Sequence, residues 1–334
     1  MKGRIVVVAA SLHGIDALQQ LVGALPADFP APVFIVQHVG KDSMGFLPGI
    51  LSRAGPLPAE HPSAREKIVP GRIYVAPPDR HMLLEDGCVL LSQGPRENWV
   101  RPAADPLFRS AALAYGPAAI GVVLTGSLDD GTAGLLAIKD AGGTALVQDP
   151  AEALAPSMPR SALRHVHVDG CLPIAGLARE LVRLARDDPE PAPPGADPSL
   201  WRIEHRIARG ILRSDDWGRL LRYTVASALT CPECRGVLHE MRDSRLLRFR
   251  CRAGHAWSAL SLAHAQAEAH GVQLSALFDL VLEEGALADR LGATGEAGDD
   301  AALAAVLAAR RDLLQRQGER MAGWLHDAAP APTP

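Results

Sequence analysis

The amino-acid sequence predicts an α/β protein: a doubly wound, mostly parallel sheet with an antiparallel edge hairpin, followed by a small cysteine-bearing module and a helical hairpin. Three observations carry this expectation. Short β-rich runs alternate with helical patterns, from RIVVVAA, GIDALQQLVGAL, APVFIVQ and SMGFLPGILSRA to AAIGVVLT, GTAGLLAIKDAGG, TALVQD, PRSALRHV and LPIAGLARELVRLA. Such alternation is the signature of a parallel sheet covered by helices on both faces. GRIYVAP and HMLLEDGCVLLSQ read as strands, and the second folds back at Asp86-Gly87 into a hairpin, placing an antiparallel edge on the sheet. Finally, residues 187 to 198 read DDPEPAPPGADP, where five prolines and no large apolar residue make a stiff, solvated connector.

These signals divide the chain into a first domain over 1–186, a Pro-rich linker over 187–199, a cysteine-bearing module over 200–258, a helical hairpin over 259–326 and a disordered tail over 327–334. With 334 residues, 48% of them hydrophobic and 22% charged, the chain can bury a substantial core and supports two domains. The formal charge of −4 and the lack of a Lys/Arg run interleaved with aromatics argue against a nucleic-acid partner. The apolar run in MKGRIVVVAASLHGIDAL is too short for a secretory signal, and no segment reaches the length of a membrane span, so a cytoplasmic protein without membrane insertion is expected.

In a doubly wound sheet, ligands bind beyond the carboxyl ends of the strands. Ser11 ends the first strand, His38 follows VFIVQ, and Asp129 and Asp130 follow GVVLTGS ahead of a helix. A serine on a tight strand-to-helix turn exposes its hydroxyl beside the unpaired N–H groups of the helix, which can stabilise an oxyanion. A histidine at a neighbouring strand end could take the serine proton, and a carboxylate could hold its ring. Spacing alone leaves a plainer explanation standing, in which Ser11 and Asp130 are helix N-caps and His38 is a polar loop residue.

The blocks VVVAASLHGIDAL, VQHV, PGRIYVAPPDRHMLL, RPAADPLFRSAA, VVLTGSLDDGTAGL, AGGTALVQDP and SMPRSAL, within residues 4 to 186, carry a resemblance. This region resembles the catalytic domain of the chemotaxis protein-glutamate methylesterases, the CheB family. The resemblance implies a Ser-His-Asp triad at Ser11, His38 and Asp130. It implies attack by Ser11 on a glutamate methyl ester of a chemoreceptor-like protein, release of methanol, and hydrolysis of the acyl-enzyme by water, with no cofactor for that chemistry. Two departures fall on the oxyanion side. Leu12, His13 and Gly14 stand where the family has a small or hydroxylated residue and two glycines, and Ser127 replaces a methionine in TGSLDDG. Arg101, in RENWVRPAADPLF, is expected to steer an acidic receptor helix toward Ser11. The family's hydrolase is commonly preceded by a phosphorylatable receiver domain. This chain enters the hydrolase pattern at residue 4, so a receiver in the same chain is not expected to be its switch.

TCPECRG and RCRAGHAW place Cys231 and Cys234 in C-x-x-C and Cys251 and His255 in C-x-x-x-H, with sixteen residues between the inner cysteines. Three thiolates and one imidazole fill a tetrahedral shell, which predicts a closed, structural zinc site, with GVLHEMRDSRLLRFR forming a small hairpin between the pairs. A redox C-x-x-C lacks its thioredoxin-like frame here and leaves the second pair unexplained. Cys88 and Cys171 read as packed or surface thiols. Beyond the module, Leu274, Leu277, Phe278, Val281, Ala288 and Leu291 recur at helical spacing. Leu303, Val306, Leu307, Leu313, Leu314, Met321 and Trp324 do the same after the turn GATGEAGDD. These stripes either pack on the zinc module or serve self-association or a signalling partner. Two function classes follow: a methylesterase, and a signalling or adaptor module with weakened esterase chemistry that works through its zinc-bearing tail. A nucleotide-binding domain is disfavoured, because AASLHG lacks G-x-G-x-x-G and LTGSLDDG is no P-loop.

Overall fold

The computed structural model describes residues 3–189, 198–211, 214–243, 245–293 and 301–327. In chain order the first region contains β1 (Ile5–Ala10), α1 (Gly14–Gly23), β2 (Val33–Gln37), α2 (Leu47–Ala54), β3 (Ala59–Glu60), β4 (Glu66–Lys67), β5 (Ile73–Val75), β6 (His81–Glu85) and β7 (Cys88–Ser92). It continues through α3 (Ala104–Tyr115), β8 (Ala119–Val123), α4 (Thr132–Asp140), β9 (Thr144–Gln148), α5 (Ser157–His165), β10 (Gly170–Leu172) and α6 (Ile174–Arg186). Then come α7 (Ser199–Ala208), α8 (Ser214–Leu220), β11 (Thr224–Thr230), β12 (Val237–Met241), β13 (Arg248–Cys251), β14 (Ala256–Ser258), α9 (Ala259–Ala293) and α10 (Ala301–Asp327).

The central sheet has seven strands in the order β10-β9-β8-β1-β2-β5-β3, and its neighbours pair in parallel. Side chains alternate along β1, so Val6 and Val8 pack with Leu18, Leu51 and Leu177 from α1, α2 and α6, while Val7 and Ala9 pack with Phe108, Leu135 and Met158 from α3, α4 and α5. Helices therefore cover both faces, as a doubly wound sheet requires.

The hairpin forms where the sequence places it, with Asp86 and Gly87 at φ 51° and 73°. It does not edge the central sheet. β6 and β7 join β4 in a separate three-stranded antiparallel sheet. Pro77 and Pro78 follow β5 and lack the N–H groups needed to extend its ladder. The chain leaves the sheet there, and Met82, Leu84 and Val89 bury against the core on the α3 side.

The break expected at 187–199 does not separate compact units: the first runs Met1–Leu262 and the second Ala263–Pro334. Residues 190–197 of that expected linker lie outside the described residues. Composition marks a solvated connector but carries no information on whether the following segment docks, and here it does. Arg109 of α3 pairs with Glu97 at 2.7 Å, and Arg250 of β13 reaches Glu97 at 3.2 Å and Glu204 of α7 at 2.9 Å. Arg248 joins Glu204 at 3.1 Å. All five charges are buried, which is tolerable only because each is paired. β11-β12-β13-β14 form a four-stranded antiparallel sheet, with β12 and β13 the hairpin expected between the cysteine pairs.

In the second unit Arg310 pairs with Glu284, and Ala288, Leu314 and Met321 are buried, as a helical hairpin requires. Leu277, Val306, Leu313 and Trp324 from the expected stripes are exposed. Residues 294–300 of the expected turn and 328–334 of the expected tail lie outside the described residues. Among the described residues no helix is long and apolar enough to cross a membrane.

Candidate active site and candidate metal centre

Ser11 follows β1, and its N–H donates to the Thr125 carbonyl at 3.0 Å. The turn into α1 closes through Gly14 N–H on the Ser11 carbonyl at 2.8 Å, with His13 in the left-handed region at φ 60°. Gly14 is required by close approach, since a Cβ there would lie 2.2 Å from Gln37 Oε1 and 2.8 Å from Ala10 Cβ. Gly126 presses on the other side of Ser11, where a Cβ would stand 2.7 Å from Ser11 Cβ and 2.1 Å from Met158 Sδ.

His38 follows β2, and its N–H donates to the Ala10 carbonyl at 3.0 Å, which sets it beside the end of β1. Gln37 Nε2 ties the two strand ends together, donating to the Ser11 carbonyl at 2.7 Å and the His38 carbonyl at 3.0 Å. Ser11, Leu12, His13, Gly14, Gln37 and His38 line one cleft of about 560 Å³. Leu12 is 53% exposed and Ser127 is also exposed, but Ser127 does not line this cleft.

Behind His38 the environment closes. Its Nε2 lies 2.7 Å from Asp130 Oδ2, and Asp130 is buried. Oδ2 also accepts from Ala104 N–H at 2.6 Å, and Oδ1 accepts from Asn98 Nδ2 at 2.9 Å. Burial by itself would raise the Asp130 carboxyl. The hydrogen bond and charge of His38 and the donors at Ala104 and Asn98 outweigh it and hold the group well below the usual carboxylate range. Asp129 points the other way. Burial pushes it up to about 6, against a hydrogen bond from Ser258 Oγ at 2.5 Å. Asp105 is raised by burial and by the Asp130 charge; its Oδ1 accepts from Gly131 N–H at 3.0 Å and its Oδ2 from Asn98 Nδ2 at 2.9 Å.

Arg101 is not turned to the cleft. Its Nε and Nη2 bond Asp79 Oδ1 at 3.0 and 2.7 Å, and its Nη1 donates to the carbonyls of Gln93 and Gly94. With every edge of the guanidinium engaged, it fastens a loop, and the steering role expected of it has no free charge to act through.

The structure gathers Cys231, Cys234, Cys251 and His255 so that their donor atoms all lie within 4.8 Å of one another, a group that could hold a metal ion. Cys231 and Cys234 lie between β11 and β12, Cys251 ends β13 and His255 precedes β14. His255 offers Nδ1 to the thiols, and its Nε2 stands 3.5 Å from Glu233 Oε1, an outer carboxylate that orients the ring. Hydrogen bonds from Cys251 and His255, and from the backbone N–H groups of Cys234 and Glu233, draw the Cys231 thiol down against the effect of burial. Cys88 is half-buried and Cys171 exposed.

Sequence reasoning missed Gln37, Asn98, Asp105, Gly126 and Ser258. Asn98 carried a faint signal, because Asn is among the few non-glycine residues that enter the left-handed region, where its φ is 52°.

A parallel α/β sheet that brings a serine and a histidine–aspartate pair to its carboxyl edge defines an ester-hydrolase type of protein. The profile of the CheB methylesterase family matches residues 6–181, and the chain belongs to that family. It is 39% identical over 186 residues to a putative protein-glutamate methylesterase/protein-glutamine glutaminase of Leptospira interrogans, covering 55% of this chain and 96% of that one. It is 40% identical over 182 residues to protein-glutamate methylesterase/protein-glutamine glutaminase 2 of Anaeromyxobacter dehalogenans, covering 54% of this chain and 53% of that one. The crystal structure of the Thermotoga maritima CheB methylesterase catalytic domain superposes with a TM-score of 0.53 at 32% identity, over 55% of this chain and 100% of that one.

Proposed function

We propose that the protein is a protein-glutamate methylesterase that demethylates chemoreceptor-like proteins, with Ser11, His38 and Asp130 as its triad. One observation carries the reading: a 2.7 Å bond joins His38 to a buried, fully engaged Asp130, while His38 and Ser11 share an open cleft. Because Nε2 faces Asp130, Nδ1 is the nitrogen that takes the Ser11 proton as the hydroxyl attacks the ester carbonyl. His38 then protonates the departing methanol, and a water activated by the same nitrogen releases the glutamate. The backbone N–H groups at the start of α1, around Leu12 and His13, meet the developing oxyanion. The names of the relatives extend this to glutamine, whose amide would pass through the same acyl-enzyme with ammonia leaving. Methanol release from a methylated receptor, compared between the native chain and Ser11→Ala, tests the reading; equal release by both would sink it.

We assign the four-donor cluster to zinc. Tetrahedral zinc with Zn–S near 2.3 Å and Zn–N near 2.05 Å separates sulfurs by about 3.8 Å and sulfur from nitrogen by about 3.6 Å. Cys234 and Cys251 sulfurs stand 3.5 Å apart, and His255 Nδ1 lies 3.7 and 3.4 Å from the sulfurs of Cys231 and Cys251. Four protein donors leave no open position, so zinc supplies shape, and the esterase chemistry needs no cofactor. Reduced thiols of this kind suit a cytoplasmic protein. Exposed Leu277, Leu280 and Trp324 on the helix pair favour a docking role for that unit, toward a signalling partner or a second copy.

A further inference from the structure

We propose that the metal-binding module is a positioning element of the esterase site: β14, fastened at Cys251 and His255, completes the hydrogen-bond shell that fixes Asp130, so metal loading sets the turnover rate. This rests on the methylesterase reading above.

The link runs through Asn98. Its Nδ2 donates to Asp130 Oδ1 and to Asp105 Oδ2, each at 2.9 Å. Its Oδ1 accepts from Ser258 N–H at 2.9 Å and from Ser261 Oγ at 3.0 Å. The first donor ends β14 of the module, and the second stands in the first turn of α9, which follows β14 directly. Ser258 Oγ also bonds Asp129 at 2.5 Å, so the same residue holds Asp129 directly and Asp130 through Asn98. The backbone is tied as well, since Asn98 N–H donates to the Ala256 carbonyl at 2.8 Å and Ala256 N–H to the Arg96 carbonyl at 3.2 Å.

Asn98 and Trp99 hold φ of 52° and 68°, two successive non-glycine residues in a region that L side chains rarely adopt. Such strain persists only where the surroundings over-determine it, and it concentrates at functional sites. The surroundings here are β14. That strand is short, and three contacts fix its start: Cys251 N–H on the His255 carbonyl at 3.0 Å, Gly254 N–H on the Cys251 carbonyl at 2.9 Å, and Arg250 Nη1 on the Gly254 carbonyl at 2.7 Å. Without a cation the three sulfurs take up protons and no longer share one centre with the imidazole, so this turn keeps only those three contacts and loosens. Asn98 Oδ1 would then be a buried acceptor with no donor, its amide would be free to turn, and Asp130 Oδ1 would keep only Asp105 N–H at 3.3 Å.

The test uses the full chain and methanol release from a γ-methyl-glutamyl peptide, at a temperature where circular dichroism shows every sample folded. Chelator-treated protein is expected to lose kcat by about 10–100-fold with KM within about twofold, the scale of a small misplacement of a catalytic group. Added zinc should restore it. The low-field proton resonance of the His38–Asp130 hydrogen bond should weaken in the metal-free chain and return on reloading, a change that simple loss of stability would not produce. Ser258→Ala combined with Ser261→Ala keeps all four ligands; it should bind zinc as the native chain does yet fall about tenfold in kcat. Unchanged kcat and an unchanged proton resonance in the metal-free chain, or native kcat in the double variant, would overturn the coupling while leaving the esterase in place. Loaded native protein whose methanol release does not depend on Ser11 would instead bring down the methylesterase reading, and the coupling with it.

Discussion

The cleft at Ser11 and the cluster at Cys231 are both built where strands end, yet they are finished in opposite ways. In the cleft, Leu12 and His13 are exposed beside a serine and a histidine that keeps one ring nitrogen away from its aspartate. In the cluster, four donors turn inward on one another, and Cys231 and Cys251 are buried. An incomplete set of partners is what a reaction needs, and a complete set is what a fastening needs.

The sharpest way to break this contrast is to remove the nucleophile. Ser11→Ala should lower kcat by roughly 10⁴-fold or more, and adding His38→Ala should cost little further, because the two act as a unit. Metal content, measured on the same samples, should stay at the native level. Next is the buried charge cluster that joins the two regions. Glu204→Gln leaves Arg248 and Arg250 short of a partner and should cost about 3–5 kcal/mol in urea unfolding.

Acid should act on the same cluster. Burial alone would favour the neutral forms of Glu97 and Glu204, but the charges of Arg109 and Arg250 on the first, and of Arg248 and Arg250 on the second, hold both below their ordinary values. The unfolded chain therefore takes up protons first, and this stability is complete above the ordinary carboxylate range of about 4 and is lost as pH falls below it. Asp129 has the reverse sign: raised to about 6, it favours the fold when protonated and erodes it as pH climbs from about 4 through 6. Asp129→Asn should remove that erosion and gain roughly 1–3 kcal/mol at neutral pH, read from unfolding at several pH values. Smallest of all, Arg101→Ala should cost on the order of 1–2 kcal/mol and affect small and protein substrates alike. A KM increase confined to a receptor substrate would restore its steering role.

Much of the architecture was legible because its causes are local. The runs IVVVAA and VFIVQ become neighbouring strands, and Asp86-Gly87 turns the hairpin. Which sheet the hairpin joins was not legible, because the period of a strand names its faces and not its neighbours. The spacing of Cys231, Cys234, Cys251 and His255 was readable for the same local reason. The shell around Asp130 was hidden: Asn98 meets Ser258 and Ser261 across 160 and 163 residues, and neither serine stands in a pattern that distinguishes it from an ordinary helix start. Glu97 and Arg250, separated by 153, are equally silent. Pairings of this kind are decided by docking, and docking leaves no periodicity behind.

The 163 residues between Asn98 and Ser261 also give the site a place in time during synthesis. At 5–20 residues per second, roughly 8–30 s pass on the ribosome between the appearance of the asparagine and that of the serine that bonds it. Once Leu172 ends β10, the parallel sheet with its serine, histidine and aspartate is made, while Ser258 and Ser261, the last partners of the asparagine, are not. The nascent chain holds a hydrolase whose aspartate is still waiting for its support, and the final third of translation is the step that completes it.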